Sequence, residues 1–164
     1  MNKVSSNTSR RVLRASQGEI LGLREAVRDR FLIEGSGRFS LLQHLMPPRA
    51  LAAPLHRHGR EDEYSFVLEG RVGALLGDEE VFAEPGDLIL KPRGQWHTFW
   101  NAGDEPARIL EIISPGGFEA AFREMHALKD ALTPDKMAEI AALYGCDVNF
   151  DETPAIIERH RLVF

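Results

Sequence analysis

Imidazole and carboxylate side chains are concentrated in two short parts of this sequence. The first part contains His56, His58 and Glu63, and the second contains His97. Neutral imidazole and carboxylate groups are common ligands of divalent first-row transition metals. The four side chains therefore predict a metal site, for which iron, manganese, nickel, cobalt, copper and zinc are all candidates. Because no cysteine belongs to the set, a soft thiolate site is excluded.

The spacing of these residues indicates how strands could bring them together. Side chains two positions apart point to the same face of a strand, so His56 and His58 are both expected to point into a barrel interior. Glu63 follows His58 at an odd separation, and one continuous strand would send it to the opposite face. The polar segment 59–62 is expected to interrupt the strand and return Glu63 to the interior. His97 follows a Pro-x-Gly turn and is expected to arrive from another hairpin.

Turn-forming residues divide the chain before residue 115 into short β-like segments. The apolar segments 26–34 and 39–46 are separated by Gly35-Ser36-Gly37, which predicts a hairpin. Further turn sequences occur at 69–70, 77–78, 84–87, 92–94 and 101–104. Many short strands at this spacing predict an antiparallel sandwich or barrel.

The pattern becomes helical after the Pro-Gly-Gly sequence at 115–117. Thr133-Pro134 and Thr153-Pro154 are typical helix starts, because threonine caps the first turn and proline fits the first helical position. The apolar residues of the first predicted helix fall on one side, namely Phe118, Ala121, Phe122, Met125 and Leu128. We expect one domain, with a flexible segment over 1–18, a β-barrel over 19–115 and helices packed on that barrel over 116–164.

The overall composition limits the classes of partner. The chain has 164 residues, of which 43% are hydrophobic and 27% charged, as is typical of a single globular domain. Its net charge of -5 argues against nucleic acid as a partner. No apolar run approaches the roughly 20 residues of a membrane span, and the N-terminal segment lacks the apolar core of a signal peptide. The single cysteine, Cys146, cannot form an internal disulfide, so we expect a cytoplasmic protein.

The two clusters resemble the paired motifs of the cupin superfamily. The first motif is Gly, five residues, His-x-His, three or four residues, Glu, six residues and Gly, and its matches are His56, His58, Glu63 and Gly70. Ala50 occupies the position of the leading glycine, a departure that affects a local turn. The second motif is Gly, five residues, Pro-x-Gly, two residues, His, three residues and Asn, and every position matches, namely Gly86, Pro92, Gly94, His97 and Asn101.

This resemblance implies an all-β-dominated double-stranded β-helix, a jelly-roll barrel, with a C-terminal helical extension. It also implies that one divalent metal is held by His56, His58, Glu63 and His97. The short interval between the motifs, residues 71–85, is similar to that of small single-domain bacterial cupins. The sequence from Pro115 to Glu119, together with the helical tail, resembles proteins described as quercetin-dioxygenase-like.

Strand alternation also predicts the side chains that lie beside the metal. Residues at even separations from Glu63 or His97 within the same strand share the inward face. The predicted substrate pocket accordingly contains Ser65, Val67, Phe99 and Gln43, with His44 as the alternative to Gln43 on the second strand. Such a mostly apolar pocket with few polar groups is typical of a site for a small organic ligand.

The opposite face of the same strands carries large apolar side chains. Tyr64, Phe66 and Leu68 share one outward row, and Trp100 points outward from the strand of His97. A row of this size is unfavourable in water, so N-terminal strands, C-terminal helices or a second subunit must cover it. We therefore expect a homodimer.

Three functions are compatible with these features. We favour a metal-dependent dioxygenase acting on a small enolic or aromatic substrate, with Glu63 as the catalytic general base. An isomerase or lyase would use the metal as a Lewis acid without consuming oxygen. A sugar isomerase would need several lysine, arginine or asparagine side chains in the pocket, and the predicted inward set has none. The third function is a non-catalytic module that binds a small molecule.

Overall fold

A computed structural model describes residues 12–14, 16–22, 25–35 and 37–164. Most of the predicted flexible segment 1–18 therefore lies outside the described residues. The N-terminal strands are β1 Glu19–Leu21, β2 Arg28–Ile33, β3 Ser40–Met46, β4 Leu55–His58 and β5 Asp62–Glu69. They are followed by β6 Val72–Leu76, β7 Glu79–Ala83, β8 Leu88–Lys91, β9 His97–Asn101 and β10 Ala107–Ser114. The C-terminal part contains α1 Glu119–Leu128, a 3-10 turn Lys129–Ala131, α2 Pro134–Leu143, β11 Cys146–Asn149 and α3 Thr153–His160.

Two antiparallel sheets form the body of the molecule. The order of the first sheet is β1-β2-β3-β10-β5-β8, and that of the second is β11-β4-β9-β6-β7. Consecutive strands repeatedly belong to different sheets, which is the connectivity expected for the predicted jelly roll. Inward side chains alternate with outward ones along each strand, and Val67, Phe99 and Ile109 lie in the apolar core between the sheets.

The helices cover the first sheet and one end of the barrel. Phe118 and Ala121 of α1 pack with Phe31 and Ile113 of the six-stranded sheet, as the one-sided apolar pattern predicts. Thr133 caps α2 by accepting a hydrogen bond from the backbone N–H of Lys136 at 3.2 Å. Within the described residues, no helix combines the length and apolar character needed to cross a membrane.

The C-terminal segment covers Trp100, one of the predicted outward aromatic residues. Trp100 is 1% exposed and packs in a cluster with Ile156 and Leu162. Its indole ring also stacks on His160, with ring centroids 4.4 Å apart. This part of the predicted outward row is therefore covered within the chain itself.

The strand β11 was not predicted from the sequence. Its four residues lie between α2 and α3 and pair with β4 along the edge of the second sheet. Cys146 lies opposite His58, and Val148 lies opposite His56. The C-terminal part of the chain is thus hydrogen-bonded to the strand that carries two of the predicted metal ligands.

Candidate metal centre

Three strands bring the four predicted metal ligands together in the interior. His56 and His58 come from β4, Glu63 from β5 and His97 from β9, where it lies directly opposite His56. Each of the four residues offers one ligand atom, and these atoms all lie within 4.8 Å of one another. The chain turns between the end of β4 and the start of β5 at Asp62, so Glu63 faces the interior despite its odd separation from His58.

Backbone carbonyl groups fix the orientation of two of the imidazole rings. Nδ1 of His56 lies 2.7 Å from the carbonyl oxygen of Pro54, and Nδ1 of His97 lies 3.0 Å from that of Gln95. A carbonyl can only accept a hydrogen bond, so Nδ1 carries the proton in both rings. When each ring is neutral, the lone pair of Nε2 faces the centre, which is the tautomer that a metal ligand requires.

The contacts around Glu63 show that this donor set fits a cation. Nε2 of His97 lies 3.1 Å from Oε2 of Glu63, and with the proton on Nδ1 both of these atoms are hydrogen-bond acceptors. Nε2 of His58 lies 3.2 Å from Oε1 of Glu63, yet neither ring nitrogen of His58 makes a hydrogen bond. Unpaired buried polar atoms are unfavourable, and a divalent metal placed among them would satisfy the set. His56, His58, Glu63 and His97 would hold it.

The charges around His58 also favour a cation at this position. Burial lowers the pKa of the His58 imidazole, but the Glu63 carboxylate, helped by Glu61, outweighs burial and raises this pKa to about 9. Burial and the neighbouring imidazoles of His97 and His58 instead hold the pKa of His56 well below its usual value. His56 is therefore neutral and available as a ligand, whereas the space beside His58 attracts positive charge.

Lys91 and Glu111 belong to the interior although the sequence analysis did not identify them. Nζ of Lys91 lies 3.1 Å from Oε2 of Glu63 and 2.9 Å from Oε1 of Glu111. It also lies 4.1 Å from the ring centroid of Phe99. Burial alone would raise the pKa of Glu63. The opposite effect of Lys91 and His58 is larger, so this pKa lies well below its usual value. Glu63 is thus held as a carboxylate.

A signal for Glu111 was present in the alternation of β10. Buried residues alternate with partly exposed ones along this strand, and Glu111 shares the buried face with Ile109 and Ile113. Its Oε2 accepts a hydrogen bond from Oγ of Ser65 at 2.6 Å. A charged residue at an inward position of a strand is unusual, and its partners lie on other strands.

Three of the predicted pocket residues are buried, and of the two alternatives on β3 the burial pattern favours His44 over Gln43. Ser65, Val67 and Phe99 are buried, with Val67 and Phe99 packed in the apolar core. On β3 the buried residues are Ser40, Leu42, His44 and Met46, so the alternation places His44 inward and Gln43 on the opposite face. The His44 ring lies beside Phe99, with centroids 5.6 Å apart.

Asn101, the last residue of the second motif, has a structural role. It is fully buried, and its Nδ2 donates hydrogen bonds to the backbone carbonyls of Pro47 at 2.9 Å and Glu105 at 2.7 Å. These bonds satisfy carbonyl groups of two loops at the end of the barrel.

Comparisons with known proteins agree with this architecture. Residues 42–113 match the family described as Cupin domain. Over 60 residues the chain is 37% identical to tetracenomycin polyketide synthase protein TcmJ of Streptomyces glaucescens, covering 37% of this chain and 40% of that protein. Over 63 residues it is 35% identical to gentisate 1,2-dioxygenase of Haloferax sp., covering 37% of this chain and 17% of that protein. The chain therefore matches less than two thirds of the length of either relative.

The fold has counterparts among solved structures. An RmlC-like cupin from Shewanella frigidimarina superposes with a TM-score of 0.58 at 17% identity, covering 68% of this chain and 96% of that one. The predicted double-stranded β-helix with a C-terminal helical part is confirmed. The family match over residues 42–113 supports the resemblance to the cupin superfamily, and the solved structure supports the fold.

Proposed function

We propose that the chain is a metal-dependent cupin enzyme of the dioxygenase type, acting on a small enolic or aromatic substrate. The observation that carries this proposal is the buried set His56, His58, Glu63 and His97, whose ligand atoms lie within 4.8 Å of one another. The similarity to a segment of gentisate 1,2-dioxygenase supports the same class of reaction. The native metal is one of iron, manganese, nickel, cobalt, copper and zinc.

The residues around the centre would bind and deprotonate the substrate. A bound divalent metal would polarise a substrate oxygen and lower the pKa of its hydroxyl group. Glu63, held as a carboxylate, would take the hydroxyl proton as general base. Because Lys91 favours the ionised form of Glu63, this proton would stay only briefly and be passed on.

Apolar side chains beside the centre suit an apolar substrate. Val67 and Ile109 are fully buried, and Phe99 is 4% exposed. An apolar interior excludes water and packs against the ring or alkyl part of an organic molecule.

An isomerase or lyase is the second candidate, and the buried Lys91 favours it. The side chains predicted to face inward include no lysine, whereas the buried Lys91 contacts both Glu63 and Glu111. His44 adds a second titratable group to the interior. These side chains could hold and protonate a polar substrate whose carbonyl group is bound to the metal, without any need for oxygen.

Oxygen uptake distinguishes these functions. The metal-free protein is reloaded separately with each of the six metals and mixed with flavonols, catechols and 1,3-diketones in an oxygen electrode. We expect uptake with at least one metal in the wild type and in His160→Gln, a control at a histidine outside the centre, but none in His58→Ala. Absence of uptake throughout would exclude the dioxygenase. Conversion of a substrate without uptake would identify an isomerase or lyase, and binding without conversion would identify a binding module.

We also propose that the protein is a homodimer. Phe66 of β5 is 37% exposed, and Leu88 and Leu90 of the neighbouring β8 are 50% and 55% exposed. These three side chains form an apolar strip at the edge of the first sheet, a surface that a second subunit would cover. Light scattering coupled to size exclusion is expected to give twice the mass of one chain, and a stable monomer at micromolar concentration would contradict the proposal.

A further inference from the structure

A row of charged and polar side chains crosses the inner face of the first sheet. In spatial order the row contains Asp29 of β2, His44 of β3, Glu111 of β10, Glu63 of β5 and Lys91 of β8. All five residues are buried. Because each comes from the next strand of the sheet, the row extends from β2 to the candidate metal centre.

The outer end of the row reaches solvent through α1. Nε2 of His126 lies 2.6 Å from Oδ2 of Asp29, and Oδ1 of Asp29 lies 2.5 Å from Nδ1 of His44. The His126 side chain is 21% exposed, whereas those of Asp29 and His44 are 8% and 6% exposed. His126 is therefore the member of this group that water reaches most easily.

The inner end of the row contains one gap. Nε2 of His44 lies 4.0 Å from Oε2 of Glu111, which is too long for a direct hydrogen bond. A water molecule or a substrate hydroxyl beside these two atoms could bond to both. Lys91 holds the other oxygen of Glu111 at 2.9 Å, so this carboxylate is fixed in place.

The groups that face His44 come from four strands and one helix. Asp29, Glu111 and Lys91 are the charged ones, while Phe99 of β9 and Phe122 of α1 contribute aromatic rings. Burial lowers the pKa of His44, but Asp29 and Glu111 together raise it above its usual value. The pKa of Asp29 is in turn lowered to about 2, because His44 and His126 outweigh the effect of burial.

Stability alone is a weak reason for burying this row. Burying charged groups is costly, and well-packed apolar residues often replace buried ion pairs without loss of stability. The row also aligns both nitrogens of one imidazole, Nδ1 towards Asp29 and Nε2 towards Glu111. With an oxygen in the gap beside Nε2, an imidazole whose Nδ1 is bonded to Asp29 can accept a proton at one nitrogen and release another from the second.

We propose that His44, Asp29 and His126 form a proton path between the interior beside the candidate metal centre and solvent. An oxygen in the gap loses its proton to Nε2 of neutral His44, so one O–H bond breaks as one N–H bond forms. The Nδ1 proton of the imidazolium then moves to Oδ1 of Asp29. Nε2 of His126 must first lose the proton that it donates to Asp29, which water exchanges for one at Nδ1. After the carboxyl group rotates, Asp29 gives its proton to this freed Nε2, and the Nδ1 proton leaves to water. His44 now carries its proton on Nε2, and it is ready for the next transfer once its ring has turned so that this N–H faces Asp29 and the free Nδ1 faces the gap. The reverse order brings a proton inward.

This inference rests on the proposed function, because the path would carry away the proton that Glu63 takes from a substrate. Its test requires neither substrate nor oxygen, so failure of the path and failure of the dioxygenase are separate results. The three residues of the path are proton-transfer and positioning residues, since none of them is a candidate metal ligand.

Nuclear magnetic resonance of the histidine rings tests the path. The carbon-bound Hε1 of His44 is followed by relaxation dispersion in metal-free and zinc-loaded protein from about pH 5 to about pH 9. His126→Gln keeps a hydrogen-bond donor for Asp29 but cannot carry a proton. The rate of proton exchange at His44 is compared between proteins at the pH where His44 is half protonated in each. We expect this rate to be at least about tenfold lower in His126→Gln than in the wild type. His160→Gln, which changes a partly buried histidine paired with Glu80, is expected to leave the rate unchanged.

Two results would overturn the proposal. If His44 keeps one protonation state across the whole range, it is a fixed ion-pair partner of Asp29. If His44 titrates at the same rate in His126→Gln as in the wild type, protons reach it by another route. If His126→Gln does not fold, His126→Phe replaces it, and the same two results apply.

Discussion

Nζ of Lys91 lies 3.1 Å from Oε2 of Glu63, and both side chains are buried in the interior. The same ammonium group contacts Glu111 at 2.9 Å, so it joins the candidate metal centre to the charged row of the first sheet. The positive charge of Lys91 is balanced by the negative charge of Glu111. A divalent metal would be only partly neutralised by the single negative charge of Glu63, which would leave one positive charge. The interior would therefore suit a ligand that binds through one anionic oxygen.

Removal of the Lys91 ammonium is expected to destabilise the fold strongly. Lys91→Met keeps the length of the side chain but leaves Glu63 and Glu111 without their buried cation. Breaking a buried ion pair by removing one partner costs about 3–5 kcal/mol, and we expect a loss of this size in urea unfolding of the metal-free protein. In the matched control Lys136→Met, an exposed pair with Glu139 is lost, and little change is expected.

Binding of a metal is expected to reduce the effect of Lys91→Met on the free energy of unfolding. A divalent cation beside Glu63 supplies part of the missing positive charge, so the difference between Lys91→Met and the wild type should become smaller in the loaded protein. An equally stable Lys91→Met variant in the metal-free state would show that the two carboxylates are not ionised as described.

Metal affinity is expected to rise with pH. In the metal-free protein His58 holds its proton up to a pKa of about 9, and a metal must displace that proton to bind. Zinc affinity should therefore increase by about tenfold per pH unit between about pH 6.5 and about pH 8.5 and level off above about pH 9. Competition with a chromophoric chelator, corrected for the chelator's own protonation, measures this slope. A flat profile would mean that His58 is already neutral at pH 7.

The reactivity of the Cys146 thiol is a probe of β11, the strand that pairs with β4 beside the candidate metal centre. Burial, followed by the charge of Glu63, raises the pKa of its thiol, so little reactive thiolate exists in the folded chain. We expect labelling by a thiol reagent to be on the order of 100-fold slower than in urea-unfolded protein. Because β11 pairs with β4, metal binding at His56 and His58 should slow labelling further. Equal rates with and without metal would show that β11 opens without disturbing the centre.

Much of the centre could be predicted because its residues have distinctive types and spacing. The polar link at 59–62 explained how Glu63 faces inward, and the Pro-x-Gly turn placed His97 on a separate strand. The choice between Gln43 and His44 stayed open because alternation along a strand does not tell which of two neighbours faces inward. That choice depends on how β3 pairs with its two neighbours, of which β10 is distant in sequence.

The charged row could not be predicted from the sequence, because its partners come from different strands. Lysine and glutamate are normally exposed, so Lys91 and Glu111 carried no local signal of burial except their place in an alternating strand. The strand β11 has only four residues, and its pairing with β4 spans a long separation along the chain. Contacts of this kind arise from tertiary packing rather than local pattern.

Metal content is the most direct test of the account. The wild type, His58→Ala and the control His160→Ala are each incubated with excess zinc or nickel, dialysed and analysed for metals. We expect about one metal per chain in the wild type and in His160→Ala, and under about a tenth of that in His58→Ala, because removing one ligand from such a set sharply lowers affinity. Full metal content in a folded His58→Ala variant would contradict the assignment of the centre.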